Sequence, residues 1–382
     1  MREVGVIMNG VTGRMGTNQH LIRSIKAIRE EGGVELPSGE RAMPDPVLVG
    51  RNERKLQRLA NEHDIDRIAV DPDLEECLDG DEEIYFDSQI TSRRAAGLER
   101  AIEAGKDVYC EKPLATDLET ATEVAGIAEE AGIKHGIVQD KLWLPGFMKL
   151  DRLVEQDFFG EVLSVDIEFG YWVFTGHGQP AQRPSWNYRK EDGGGIIDDM
   201  FAHWSYVLEN LFGRVESVMC LGKTHIPERI DEDGDPYEAT ADDAAYAIME
   251  LEGDTVAQIN SSWTVRVKRD DLVRVQVDGT DGSAVAGLRE CKTQHHSNTP
   301  KPVWDPDTPT EHDYHDDWTE VPNNREFDNA FKQEWEQFIR HVVADEPFPY
   351  DFVEGAKGVQ LSELSHRSWK EGRRVEIPEI SI

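Results

Sequence analysis

Three sets of residues in this chain of 382 have the types and spacings that do chemistry. The stretch VYCEKPLAT (108–116) runs an apolar strand straight into Glu111, Lys112 and Pro113. Charge followed by proline can mark a plain solvated turn. A strand tip that ends in lysine and proline can also hold that cation at one fixed spot. The second set is Asp199 and His203, in the run GGGIIDDMFAH (193–203). On a helix they lie one turn apart on the same face, with Asp198 on another. A histidine can take a hydroxyl proton near neutral pH, and a carboxylate beside it can orient the ring or bind a ligand. The third set is Gly10, Gly13 and Gly16, whose lack of side chains lets a backbone approach a phosphate.

These residues need elements to place them. Val4, Val6, Ile7 and Met8 read as a short buried strand, the glycines as the turn, and Leu21, Ile22, Ile25 and Ile28 as a helix. Strand, glycine turn and helix together make a dinucleotide site, spaced GxxGxxG here, with Gly10, Thr12, Gly13, Arg14 and Met15 as its contacts. A second strand, PVLVG (46–50), ends in Arg51 and Asn52. An acid at that strand end binds a ribose 2′-hydroxyl, whereas an arginine suits a 2′-phosphate, so the expected cofactor is NADP, with NAD possible. Residues 31–45 read as an inserted loop. Further strands (EIYFDS, DVYC, KHGIVQ) alternate with helices over 95–106 and 117–131, which predicts a doubly wound parallel sheet. Ligands of such sheets bind beyond the carboxyl ends of the strands, where Lys112 sits.

From about residue 150 the pattern changes to longer strands, among them VLSVDIEFGYWVF (162–174), AAYAIMELEG and TVAQINSSWTV, with one main helix. The expected architecture is therefore an α/β dinucleotide-binding domain over 1–140. An α+β domain with a large open, mostly antiparallel sheet follows over 141–382. The loop 175–195 supplies aromatics, amides and cations (Trp186, Asn187, Tyr188, Lys190) suited to a hydroxyl-rich ligand, or to an ordinary surface loop. The run 291–318 holds His295, His296, His312 and His315 without fixed ligand spacing, so no metal is expected.

Bulk composition narrows the partners. With 41 Lys+Arg against 76 Asp+Glu, the net charge is −35, which argues against nucleic acid or an anionic membrane surface. Acid runs lie between apolar segments, as a salt-saturated cytoplasm would favour, so a halophilic source is expected. Four cysteines stand far apart with no CxxC pair, Met1 leads almost directly into a strand, and no run approaches a membrane span. The expectation is a soluble, cytoplasmic protein.

Together the glycine loop, AGKDVYCEKPLA (104–115), GGGIIDDMFAH and the closing VQLSELSHRSWKEGRRVEIP resemble the glucose–fructose oxidoreductase / inositol dehydrogenase / MocA (Gfo/Idh/MocA) family over most of the chain. The resemblance implies that Lys112 lies beside the nicotinamide and bonds the substrate hydroxyl, that Glu111 and Lys112 contact the cofactor, and that Pro113 is in a cis peptide. It implies that Asp199 and His203 are catalytic and touch substrate, and that homodimers or homotetramers form. SQITSR (88–93) stands where the family usually has TPxxxH, leaving Ser88 as the cofactor-loop contact. DKLWLP (140–145) keeps the shape of a substrate-side run through Lys141. The implied activity is an NAD(P)-dependent oxidoreductase acting on the CH–OH group of a sugar, polyol or relative. The alternative is a redox-neutral NAD-dependent glycosidase or lyase on the same fold.

Overall fold

The computed structural model describes residues 1–70, 74–299, 305–308 and 313–382, and His312 lies outside them. The chain divides into two compact units: 1–143 with 328–360 and 379–382, and 144–327 with 361–378.

The first unit is built on a seven-stranded sheet of β1 (Arg2–Asn9), β2 (Val34–Glu35), β3 (Arg41–Gly50), β4 (Ile68–Val70), β5 (Ile84–Asp87), β6 (Asp107–Cys110) and β7 (His135–Ile137). The order is β2-β3-β1-β5-β6-β7, with β4 also on β3. All pairings are parallel except β2 with β3. Every residue of β5 is buried, as expected of a strand covered on both faces. The helices are α1 (Ala27–Glu30), which continues a π-wound helix Gly16–Lys26, then α2 (Glu53–His63), α3 (Leu74–Leu78), α4 (Thr91–Glu103) and α5 (Leu118–Ala131). Because β3 and β5 flank β1 on opposite sides, the strand order reverses at β1, the usual ligand crevice of such a sheet. The glycine turn follows β1.

Two expectations fail here. Residues 31–45 are not a plain inserted loop: Val34 and Glu35 pair back on Arg41 and Ala42, and β3 begins at Arg41. The Arg41 guanidinium reaches the Gly32 carbonyl at 2.7 Å, closing that hairpin. Nor does the second unit own everything after residue 140. Helix α8 (Ala330–Ala344) belongs to the first unit, where Phe331, Trp335, Phe338 and Ile339 share an apolar core with Val6, Met8, Phe86 and Tyr109. Its apolar stripe needs a sheet face, and the parallel sheet offers one opposite α4 and α5.

The second unit opens with α6 (Pro145–Glu155) and carries α7 (Ile196–Phe212) against a nine-stranded mixed sheet. The strands are β8 (Val162–Phe169), β9 (Val215–Lys223), β12 (Ala244–Leu251), β13 (Val256–Ser262), β14 (Val273–Gly279), β15 (Gly282–Ala286), β16 (Cys291–His295), β17 (Thr319–Glu320) and β18 (Val375–Glu376); β10 (Glu228–Ile230) and β11 (Pro236–Glu238) form a separate hairpin. Within this sheet, among the described residues, only the β8–β13 pairing is parallel. Buried and exposed residues alternate along β9 and β12, so one face packs and the other is solvated. The first strand stops at Phe169 rather than 174: Gly170 takes φ 149°, and Trp172–Phe174 winds as a short 3₁₀ turn. Helix α9 (Phe352–Glu371) begins among the residues of the first unit and ends among those of the second.

Candidate active site

Gly10 has φ 80°, and a Cβ there would come within 2.6 Å of the Gln89 amide, so only glycine fits. Its N–H donates to the Val49 carbonyl at 3.1 Å, tying the turn to β3. Gly16 is closed in as well, since a Cβ would meet Ser88 Oγ at 2.7 Å. Gly13 and Arg14 are exposed, while Thr12 and Met15 are half-buried. The helix after them carries no side-chain cap and no acid in its first turn. Those uncapped amides and the bare glycine backbone fit the pyrophosphate of a dinucleotide. Ser88 donates its hydroxyl to the Asn9 carbonyl at 3.1 Å and so braces the turn. Arg51 stands exposed at the end of β3, and Asn52 caps α2, its Oδ1 accepting the Lys55 N–H at 3.0 Å.

The lysine turn is held from below on two sides. The Lys112–Pro113 peptide is cis. Buried Glu111 accepts from His20 Nε2 at 2.8 Å and from the Lys112 backbone N–H at 3.2 Å. Burial opposes its charge, but the His20 hydrogen bond and the nearby charges of Lys112 and Arg94 outweigh that and hold the carboxyl below its ordinary range. On the other side, buried Arg94 donates to the Gln89 carbonyl at 2.9 Å, to the Pro113 carbonyl, and to Asp87 Oδ1 at 3.3 Å. Arg94 directly follows the SQITSR run that stands in place of the family's usual motif. At the end of β7, fully buried Glu334 accepts the Gln139 N–H at 2.6 Å. Burial leads in holding its carboxyl well above the ordinary range, aided by Asp140 and Glu111. Lys141 pairs with the neighbouring Asp140. Sequence reading missed His20, Arg94, Glu334 and Trp335; a charged or polar residue at a helix position otherwise apolar was the only signal.

In the second unit α7 presents both expected residues. Asp199 Oδ2 lies 2.8 Å from Arg183 Nη1, an ion pair the sequence reading did not foresee. The Arg183 guanidinium is stacked over Phe174 and Trp263, at 5.0 and 4.8 Å from the ring centroids. His203 is buried, with Nδ1 2.7 Å from the Tyr206 hydroxyl. When Nδ1 carries the proton and donates to that oxygen, Nε2 is the basic nitrogen. Asp198, on the other face, pairs with His366 at 3.0 Å. The carboxyl ahead of this helix, Asp242, accepts the Ile197 N–H at 2.9 Å.

The loop before α7 departs from expectation. Trp186 and Lys190 are exposed. Tyr188 is fully buried, its hydroxyl donating to the Phe174 carbonyl at 2.6 Å and its ring lying 4.1 Å from the Arg229 guanidinium, and Asn187 is buried beside it. Those two are packing residues because a fully buried cation, Arg229, must be covered. Arg229 is matched by fully buried Asp243 at 2.8 Å, whose two oxygens also accept the N–H groups of His225 and Ile226. Among the described residues no cluster of three His, Cys, Asp or Glu is arranged for a metal. No helix there is long and apolar enough to cross a membrane.

Comparison with known proteins places this arrangement in a class. Residues 46–137 match the oxidoreductase family with an NAD-binding Rossmann fold, and residues 147–285 match the GFO/IDH/MocA C-terminal domain. A D-xylose dehydrogenase of Paenarthrobacter nicotinovorans is 54% identical over 390 residues, covering 99% of this chain and 98% of the relative. Among solved structures, levoglucosan dehydrogenase in complex with NADH and L-sorbose superposes with a TM-score of 0.81 at 20% identity, each chain covered completely. An aldose-aldose oxidoreductase from Caulobacter crescentus complexed with glycerol gives 0.76 at 18%, covering 98% of this chain and all of that one. These two show the fold. The chain belongs to the Gfo/Idh/MocA family and is an NAD(P)-dependent oxidoreductase.

Proposed function

We propose that this protein oxidises the CH–OH group of an aldose, with D-xylose the first substrate to test, in an NAD(P)-dependent reaction. The observation that carries the reading is the 54% identity to a D-xylose dehydrogenase across nearly the whole of both chains. On this reading Lys112, Asp199 and His203 are the catalytic groups. His203 accepts the hydroxyl proton at Nε2, with Tyr206 holding Nδ1. Lys112 donates to the hydroxyl oxygen and stabilises the alkoxide as it forms. Asp199, held by Arg183, and the exposed Trp186, Lys190 and half-buried Lys141 bind the sugar. Gly10, Thr12, Gly13, Arg14, Met15 and the Ser88-braced turn hold the dinucleotide, which when bound supplies the hydride acceptor.

Arg51, exposed where NAD-specific domains carry an acid, favours a 2′-phosphate, so NADP is the preferred cofactor. The absorbance of reduced nicotinamide, followed with NADP or NAD against a panel of aldoses, tests the assignment. Growth of that band with D-xylose is expected; silence across the panel with cofactor bound overturns it.

Two further assignments go with this reading. The charge of −35 suits a salt-rich cytoplasm, and moving the protein from molar KCl to dilute buffer should lower its melting temperature; an unchanged value counts against a halophilic source. The outer face of the nine-stranded sheet exposes Met219, Leu221, Tyr246, Ile248 and Val256 side by side, with Leu221 opposite Tyr246 and Met219 opposite Ile248. A second copy of this chain is the partner that covers it, giving a dimer or tetramer. Sedimentation should find an assembly that Ile248→Glu reduces to the monomer.

A further inference from the structure

The lysine turn has a support that neither the motif nor the family comparison assigns. We propose that His20 and Trp335 are positioning residues, forming with Glu111 a hydrogen-bonded relay that fixes the Lys112 backbone relative to the glycine-loop helix. The inference rests on the reading that Lys112 acts on the substrate hydroxyl.

The direction of the relay follows from donor chemistry. An indole N–H can only donate. Trp335 Nε1 lies 3.0 Å from His20 Nδ1, so Nδ1 is the acceptor and the proton of the neutral ring sits on Nε2. Nε2 then donates to Glu111 Oε1 at 2.8 Å, and Glu111 is left as an acceptor at both oxygens. Its Oε2 takes the backbone N–H of Lys112 at 3.2 Å. Indole, imidazole and carboxylate come from three separate places: α8, the π-wound helix that follows the glycine loop, and the end of β6. His20 and Trp335 are completely buried.

The ring of His20 has no room to turn. Its centroid is 4.3 Å from Phe86 and 5.2 Å from Phe331. The charged group facing it is Glu111; Lys112 and Arg94 act on that carboxylate, and Glu334, beside Trp335 on α8, faces Tyr109 and the Gln139 amide. The consequence is mechanical. Residue 20 lies on the helix that begins at the dinucleotide loop, so the relay joins the element that seats the cofactor to the turn that aims the lysine.

A buried polar triad could also serve packing alone, and the test separates the two. The full chain would be assayed across pH as wild type, Lys112→Met, His20→Leu, His20→Gln and Trp335→Phe. His20→Leu keeps the bulk but leaves Glu111 without its donor. We expect kcat to fall about 10²-fold with the cofactor KM little changed, because a misplacement of the order of 1 Å has that effect. The acid limb of kcat should move to higher pH, since a carboxyl held low by His20 protonates more readily without it. In His20→Gln the side-chain oxygen can accept from Trp335 and the amide can donate to Glu111, so it should recover most of the rate and the original acid limb. His20→Leu with wild-type kcat and acid limb, or His20→Gln no better than a well-folded His20→Leu, overturns the relay.

Should His20→Leu fail to fold, Trp335→Phe decides, because an unchanged rate and acid limb there also overturns it. Nitrogen NMR of the histidine rings gives a readout apart from activity. The wild type should show His20 protonated at Nε2, and Trp335→Phe a mixture of tautomers; Nδ1 protonation in the wild type overturns the proposal. The underlying reading fails separately, through near-normal turnover of Lys112→Met.

Discussion

The two units carry their chemistry in different ways. In the first, Lys112 sits on a turn clamped by buried polar groups: Glu111, His20 and Trp335 on one side, Arg94 and Asp87 on the other. In the second, Asp199 and His203 ride on α7, while the loop before it is built around one buried ion pair and leaves Trp186 and Lys190 to solvent. The difference teaches a division of labour. On the proposed reading, the group that meets the same cofactor in every turnover is fixed by a network of buried hydrogen bonds. The groups proposed to read the sugar are hung on a surface loop whose scaffold is fixed and whose tips are exposed.

The largest effects should come from the chemistry itself. Lys112→Ala and His203→Asn should each lower turnover by about 10²–10⁴-fold, with the melting temperature kept. Near-normal turnover of either would erase the distinction between clamp and loop. Next, Arg229→Met should destabilise the second unit by about 3–5 kcal/mol, because it leaves Asp243 buried without its partner, although the Asp243 hydrogen bonds to His225 and Ile226 remain. Urea unfolding measures this, and a loss under 1 kcal/mol would show that the loop does not depend on its buried pair. Arg51→Asp should shift the NADP/NAD preference about tenfold toward NAD without altering the sugar KM; an unchanged ratio would reduce Arg51 to surface charge.

The smallest effect concerns pH. Burial opposes the charge of His366, but the hydrogen bond and charge of Asp198, with Asp242, outweigh it and raise its folded value above the ordinary one. A raised histidine contributes stability that is complete below its unfolded value, about 6.5, and is lost as pH rises through the folded one. The second unit should therefore weaken as pH rises above about 6.5, and His366→Asn should flatten that slope. An identical slope in the variant would show that the His366–Asp198 pair carries no linkage.

Much of the fold was legible because periodicity is local. Strands alternating with helices pointed to the parallel sheet, and longer strands with one main helix pointed to the antiparallel one. The one main helix expected to carry Asp199 and His203 is α7, Ile196–Phe212. Glycine spacing gave the cofactor turn for a local reason too, since Gly10 needs its left-handed φ. The misreadings were long-range. Nothing near residue 188 tells a sequence reader that Tyr188 must cover the guanidinium of Arg229, forty-one positions later. Nothing near residue 199 points to Arg183 as the partner of Asp199. The hairpin at 34–42 looked like a loop because its strands are two residues deep.

The sequence by itself determined the class of fold, and it singled out the glycine turn and the lysine, aspartate and histidine proposed to carry the chemistry, because those depend on residue type and near-neighbour spacing. Tertiary structure alone decided which groups hold them. It returned residues 328–360 to the first unit, set Trp335 and His20 behind Glu111, and closed Arg94 onto the proline turn. A buried polar group must find its partner wherever the packed chain brings one, and that partner's distance along the sequence carries no information about it.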